Sequence, residues 1–543
     1  MQKYIPLAKH ALFIGLGIAS LGALIGTILL GDPRPSAGTF RPARYERDDF
    51  REVVEKVNAE FEAQWSDADL EPAPRAADLT IARRLSLGLT GTIPSLEEIR
   101  EFEKQPPETR VQWWVSHLVE DRRYADYVAE RFARAYVGVE NGPFLVYRRR
   151  RFVTWLSDQL HGNVPYDKLA SELIDAEGIW TSHPEVNFVT VSIDQNNNQG
   201  PDEIKLAARV TRAFLGVRID CVQCHDDNLE GMWEQTDFHE LVSFFSGAEM
   251  TLTGVREKGT PYDYQYLNAD EEVRVPNSVP FYPDLLPERG EPRARLAAWA
   301  THPENKAFAR ATVNRIWALM LGRPLVEPID NIPLGSLDTP ALDTLAEDFV
   351  EHGYDLRRLI SVIAATDVFQ SDSRANFEIT SKHERNWAVF PLTRLRPEQV
   401  AGSILQAAKL KTIDAESHFF LKLQRFNQQD EFIKRYGDTG EDEFAEGGGT
   451  IPQRLLMMNG SLVQERTKED FFNNASTRIA ALAPDNKSAV ETAYLVALSR
   501  RPTLTESQHF VQRIGDAQGE YRNQKLEDLF WSLLNSTEFS WGH

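Results

Sequence analysis

Cysteine is scarce, with 2 residues in a chain of 543. That rules out a disulfide-stapled scaffold and any zinc or iron–sulfur site built from several thiolates. An excess of positive charge is missing as well. Asp and Glu number 81 against 60 Lys and Arg, a formal net charge of -21. An acidic surface repels phosphate backbones, so nucleic acid is not expected as a partner. The chain has no G-x-S-x-G, no H-E-x-x-H and no glycine-rich phosphate loop. Hydrolytic and nucleotide-dependent machinery therefore has no support in its motifs, and whether the protein is an enzyme stays open. Solenoid repeats and long low-complexity tracts are also lacking.

With 42% hydrophobic and 26% charged residues, the composition is that of a folded globular protein. The chain is long enough for several domains and can bury a core without crosslinks. One uncharged apolar stretch, ALFIGLGIASLGALIGTILL from Ala11 to Leu30, stands at the N-terminal end. At about 1.5 Å per residue it spans a hydrocarbon core of about 30 Å. Lys3 and Lys9 precede it, as in a signal's n-region. The expectation is an uncleaved signal anchor over residues 1–30, with a cleaved signal peptide as the alternative. Arg34, Arg41, Arg44 and Arg47 follow the span, against the positive-inside rule. Residues 31–49 then read as a Pro-, Gly- and Arg-rich linker.

Helical signals dominate the remainder. Ser95 with Glu98 forms a capping box, as does Thr503 with Glu506. Ile204, Ala208, Thr211 and Leu215 share a helical face, and Gly216 suits a helix end. Phe308, Thr312, Ile316 and Met320 share another. Leu526, Leu529, Phe530, Leu533 and Leu534 make an apolar stripe that reads as core. Residues 247–292 differ: TLTGV, YDYQYL and EEVRV are short β-prone runs between Pro, Gly and Asn. Residues 437–450 are acidic and glycine-rich, and read as a loop.

Both cysteines fall in Cys221-Val222-Gln223-Cys224-His225. C-x-x-C-H is the attachment signature of a c-type haem. Cysteines three apart fall on one side of a helical turn, so both sulfurs can reach the porphyrin vinyl groups. The adjacent His225 then presents its imidazole to the iron as proximal ligand. Two other chemistries use C-x-x-C. A thioredoxin-type disulfide needs a βαβ setting, which these flanks do not offer. Zinc needs ligands beyond the three supplied here. His239, on a helix ending near Val242 and Phe244, is the candidate distal ligand, although a lone histidine on such a helix is more often a surface or satisfied core residue. Met232 and Met250 are the nearest methionines. Asp226 and Asp227 read as solvated acids. A haem is attached on the export side of bacterial membranes, which agrees with an N-terminal anchor.

The surrounding residues resemble a known pairing. Ala82-Arg83-Arg84-Leu85-Ser86-Leu87-Gly88-Leu89-Thr90-Gly91, Pro165-Tyr166-Asp167 and the segment from Phe214 to Phe245 are similar to the planctomycete cytochrome-C-like domain. FARATVNRIWALMLGRPLVEPID from Phe308 to Asp330 is similar to the domain that usually follows it. So are Gly353-Tyr354-Asp355-Leu356, Leu395-Arg396-Pro397-Glu398-Gln399, Asn459-Gly460 and Ser499-Arg500-Arg501-Pro502. The resemblance runs from about residue 75 onward and implies the haem residues Cys221, Cys224 and His225. Many relatives carry a second histidine at the position held here by Asp227. The pairing brings no established substrate.

The expected fold class is mainly α: two packed helical domains with a small β insertion, plus an N-terminal transmembrane helix. Residues 50–246 form the cytochrome-c-like domain, 247–292 the β-rich insertion or connector, and 293–543 the helical partner domain. The leading functional expectation is a c-type cytochrome with one covalent haem c. It would sit in the inner membrane as a single-pass protein, its bulk facing the periplasm, and pass single electrons to an unknown redox partner protein. A haem-dependent enzyme acting on an exported substrate such as a polysaccharide is the second reading. The third is a non-haem binding or scaffold module with a Cys221–Cys224 disulfide.

Overall fold

The computed structural model describes residues 40–139, 147–193, 200–226, 232–267, 269–413, 431–437, 444 and 449–543. Helices make up most of it. Those that position the site are α1 (Asp48–Asp67), α2 (Asp78–Thr90), α3 (Leu96–Lys104), α4 (Glu203–Val210), α5 (Gln235–Val242) and α6 (Lys306–Leu321). The strands are short antiparallel pairs. Strand β1 (Ala248–Thr251) pairs with β2 (Gly254–Glu257), and β3 (Asp263–Tyr264) with β4 (Val273–Arg274). These two hairpins occupy the stretch expected to be β-rich. Strand β5 (Thr393–Arg394) pairs with β6 (Trp541–Gly542), so Thr393 lies opposite Gly542.

Helix α1 shows why a long helix here stays at the surface. Phe50, Val53, Val57, Phe61 and Trp65 recur every three or four residues and bury one stripe. The rest of α1 is studded with Asp, Glu, Arg and Lys. No helix among the described residues is long and apolar enough to cross a membrane. The expected spanning helix over residues 1–30 lies outside the described residues. The fold class is corrected accordingly to mainly α with short β pairs, with no membrane-spanning helix among the described residues. The single-pass inner-membrane placement and the membrane as a partner lose their structural basis with it.

Helix α2 follows a different rule. Every residue from Ile81 to Leu89 is buried, including Arg83 and Arg84. Two apolar cores meet on it. One joins Ile81, Ala82, Leu85 and Leu89 to residues from Tyr45 through Phe390. The other takes Leu87 together with Val400, Ile404, Val490 and Leu526. The first core thus runs without a break across the boundary drawn from sequence near residue 293, and the second collects the chain beyond β5. A Cβ on Gly88 would sit 3.1 Å from the carbonyl oxygen of Leu319 and 3.1 Å from Cα of Met320. The missing side chain lets α2 and α6 approach backbone to backbone.

The capping box read at Ser95 is present. Ser95 Oγ accepts from the Glu98 N–H at 3.1 Å, and the Glu98 carboxylate accepts from the Ser95 N–H at 2.8 Å. Glu98 also receives the Arg123 guanidinium and lies 3.9 Å from His117 Nε2. Glu98, His117 and Asp121 stand close enough together to hold a cation, and Arg123, paired with both carboxylates, supplies that charge. Burial pushes the Glu98 carboxyl up, but Arg123 and the hydrogen bonds outweigh it and hold the pKa at about 2. A carboxyl depressed in the folded state stabilises the protein above its unfolded pKa of about 4.5. That stabilisation is lost as pH falls from there toward 2. It amounts to about 3 kcal/mol. Glu98→Gln is expected to be less stable than the parent at neutral pH by this order, with the gap closing below about pH 4.5. Denaturant midpoints across that range check it.

Candidate functional site

The cysteine motif is delivered by α4. Leu206, Ala207 and Val210 bury the inner face of this helix. The helix widens into a π turn over Thr211–Leu215 and stops at Gly216, whose φ of 60° is left-handed, as expected of a glycine at a helix end. The motif itself departs from expectation. It is a single 3-10 turn over Asp220–Gln223, with Cys224 capping it, and not a stretch of α-helix. A 3-10 turn has three residues per repeat, so positions i and i+3 eclipse. Cys221 and Cys224 therefore present their thiols on one side. Both are free and exposed. Val222 between them is buried and anchors the turn.

His225 is exposed next to them. Its Nδ1 lies 2.8 Å from the carbonyl oxygen of Asp226. A carbonyl only accepts, so Nδ1 carries the proton and Nε2 keeps its lone pair. Among the described residues nothing pairs with that Nε2. Asp226 is exposed, as expected of a solvated acid, and its carboxylate also accepts from the Gln235 N–H at 2.9 Å at the start of α5. Asp227 lies outside the described residues.

Helix α5 grips the turn from behind. The Gln223 carbonyl oxygen accepts from Gln235 Nε2 at 3.0 Å and from His239 Nε2 at 3.1 Å. His239 is fully buried, and its Nδ1 accepts from the Tyr262 hydroxyl at 2.8 Å. The Tyr264 ring lies flat on the imidazole, 3.5 Å between centroids, and Tyr266 meets it edge-on. The distal-ligand expectation for His239 is therefore corrected. Both ring nitrogens are spent, one as donor and one as acceptor, and no lone pair faces the motif. Its work is to hold Gln223. Tyr262, Tyr264 and Tyr266 were read only as a β-prone run. Their period of two, which puts all three on one face, is the signal that marks them as a wall beside the motif.

On the other side of the turn, Arg212 forms a bidentate pair with Asp220 at 2.9 and 2.6 Å. Burial lowers the Arg212 pKa, but the pair with Asp220 and then the charge of Asp330 outweigh that and raise it. Two cavities, of about 430 and 540 Å³, lie elsewhere. One is lined by Asp167, Glu172, Asp175 and Glu185 among others, the second by Leu96, Arg100 and Leu410 among others, and no motif residue lines either.

Residues 56–250 match the model of PSCyt2, described as a protein of unknown function (DUF1549), and residues 292–439 match that of PSD1, a protein of unknown function (DUF1553). The chain belongs to this two-domain family. The cysteine turn and α5 lie in the PSCyt2 region, α6 in the PSD1 region. The tyrosine wall lies in the interval between the two matches. No curated protein and no solved structure matches the chain.

Burial lowers the pKa of His239 from its ordinary 6.5. The unfolded chain then binds the proton more readily. The stability that the neutral imidazole provides is complete above about pH 6.5 and declines as pH falls below it. His239→Ala is expected to cost about 2–4 kcal/mol, from lost packing and a weakened hold on the Gln223 carbonyl. His239→Gln should remove part of the fall in denaturant midpoint seen between about pH 7.5 and 5.5. An unchanged pH dependence in that variant would show that His239 is not neutral and buried.

Proposed function

We propose that the chain carries one covalent haem c, held by thioether bonds to Cys221 and Cys224 with His225 as proximal ligand, and that it transfers single electrons. The observation that carries this reading is the orientation of His225. Its Nδ1–H is spent on a backbone carbonyl, which fixes the tautomer and leaves Nε2 as the metal-facing nitrogen. Two free, exposed thiols lie three residues apart on the adjoining turn and its cap. When bound, the group supplies a one-electron iron couple.

The protein's own residues supply the frame. Val222 roots the turn in the core, while Gln235 and His239 hold its carbonyl from α5. The aromatic wall of Tyr262, Tyr264 and Tyr266 stands beside it. Met232 and Leu267 are both more than half exposed, and Leu267 is tied to α5 through its N–H on Gln235 Oε1 at 3.0 Å. A cofactor at exposed cysteines lies at the surface, where a redox partner protein can approach it.

The test is expression of the full chain with a c-type maturation system, followed by a haem stain of the denatured protein and a reduced-minus-oxidised spectrum. Covalent haem is expected in the parent and absent from the Cys221→Ala, Cys224→Ala double variant. His225→Ala is expected to lose the spectral signature of a histidine-ligated haem. A parent chain without haem, under conditions in which a control cytochrome matures, would refute the proposal.

A further inference from the structure

Helix α6 is followed by a loop, residues 322–335, that is held at two places by buried polar side chains of that helix. Asn314 is fully buried. Its side chain accepts from the Val326 N–H at 3.0 Å and donates to the Val326 carbonyl at 2.7 Å. Arg310 is nearly as buried. Its Nη1 donates to the carbonyls of Pro333, Leu334 and Gly335 at 2.9–3.1 Å, while Nε and Nη2 form a bidentate pair with Asp343. Between these fixed points the loop meets the segment leading into the cysteine turn. The Ile332 N–H donates to the Gly216 carbonyl at 2.8 Å. A Cβ on Gly216 would lie 3.0 Å from Ile332 Cδ1. Asp330 pairs with Arg218 at 2.8 Å and stands 3.8 Å from Arg212, the same Arg212 that is forked onto Asp220, the residue before Cys221.

We infer that the 322–335 loop of the PSD1 region is a positioning element for the cysteine turn of the PSCyt2 region, with Asp330 as its positioning residue acting through Arg212 and Arg218. A turn of four residues has too few internal hydrogen bonds to hold itself. Helix α5 fixes its far end at Gln223, and the loop fixes its near end at Gly216, Arg218 and Asp220. The thiols are thus spaced by contacts from both regions, and the site is incomplete in either region alone. The consequence for a bound haem rests on the proposed function, whereas the clamp itself does not.

The experiment compares the full-length parent with Asp330→Asn, Asp330→Glu and Arg218→Gln. Hydrogen exchange of residues 216–226 is expected to quicken about tenfold in Asp330→Asn and in Arg218→Gln, which breaks the same contact from the motif's side, while α1 is unaffected. Asp330→Glu should restore most of the protection. In haem-loaded protein, Asp330→Asn should raise the reduction potential, because a negative charge that favours the oxidised iron is gone, and Asp330→Glu should return it. Unchanged exchange over 216–226, or an equal rise in remote helices, would overturn the inference, and a potential that does not move would overturn its extension to a bound haem. If Asp330→Asn does not fold, Arg218→Gln decides. A parent without haem defeats the proposed function, and the exchange result still judges this one.

Discussion

Two adjacent guanidinium groups buried in α2 hold the molecule together. Arg83 donates to the carbonyls of Ala497 and Phe539 at 3.2 and 3.3 Å. Arg84 donates to those of Phe369, Ser371 and His543 at 3.1, 2.7 and 2.7 Å, and stacks 3.5 Å over the Phe390 ring. Burial lowers their pKa values to about 10 and about 9, so both stay charged at neutral pH. A buried charge is costly unless it is well hydrogen-bonded. Here the acceptors are backbone carbonyls in the last turns of other helices or just beyond other elements. One helix thereby satisfies segments more than 280 residues away in the chain, and both cores close around it.

From that helix a chain of dependence leads to the cysteines. Gly88 lets α6 lie directly against α2. Helix α6 in turn projects Asn314 and Arg310 onto the loop that meets Gly216 and Arg218. The opposite face of the turn is held by α5, itself capped by Asp226 from within the motif segment. Loop, turn and helix therefore constrain one another, although each is too short to be stable alone. The acidic character of the whole chain does not extend to this junction, where Arg212 and Arg218 share Asp220 and Asp330.

What could be read from sequence divides along a physical line. Local signals survive folding unchanged. The capping boxes at Ser95 and Thr503, the helix end at Gly216 and the β-prone runs between 247 and 292 all depend on residues within a few positions of one another. The C-x-x-C-H pattern was visible for the same reason. The roles that were missed depend on distant partners. His239 looked like a ligand until Tyr262 and Gln223 were found on its two nitrogens. Asp226, exposed as expected, also meets the first N–H of α5, a contact that no local pattern announces. Asp330 stood inside a family motif with no assigned task, because Arg212 and Arg218 lie more than 100 residues earlier. The division near residue 293 followed a change in composition, while the apolar core follows packing and crosses it.

The exposure of the thiols sharpens the argument about what such a turn is for. A catalytic pocket excludes water and surrounds its substrate. These cysteines and His225 instead stand outside, on a turn whose backbone is restrained from two directions. A restrained backbone under an exposed reactive edge keeps donor and acceptor geometry constant while leaving the edge open to another protein. For a one-electron carrier both properties are useful at once, because the partner must come close and the site must change little when its charge changes. For an enzyme that must enclose a polymer segment, the same exposure would have to be supplemented by a second surface. Under the proposed function, an outward-facing turn held from two directions suits electron transfer better than enclosure of a substrate, and the inferred clamp would make the PSD1 region part of its frame.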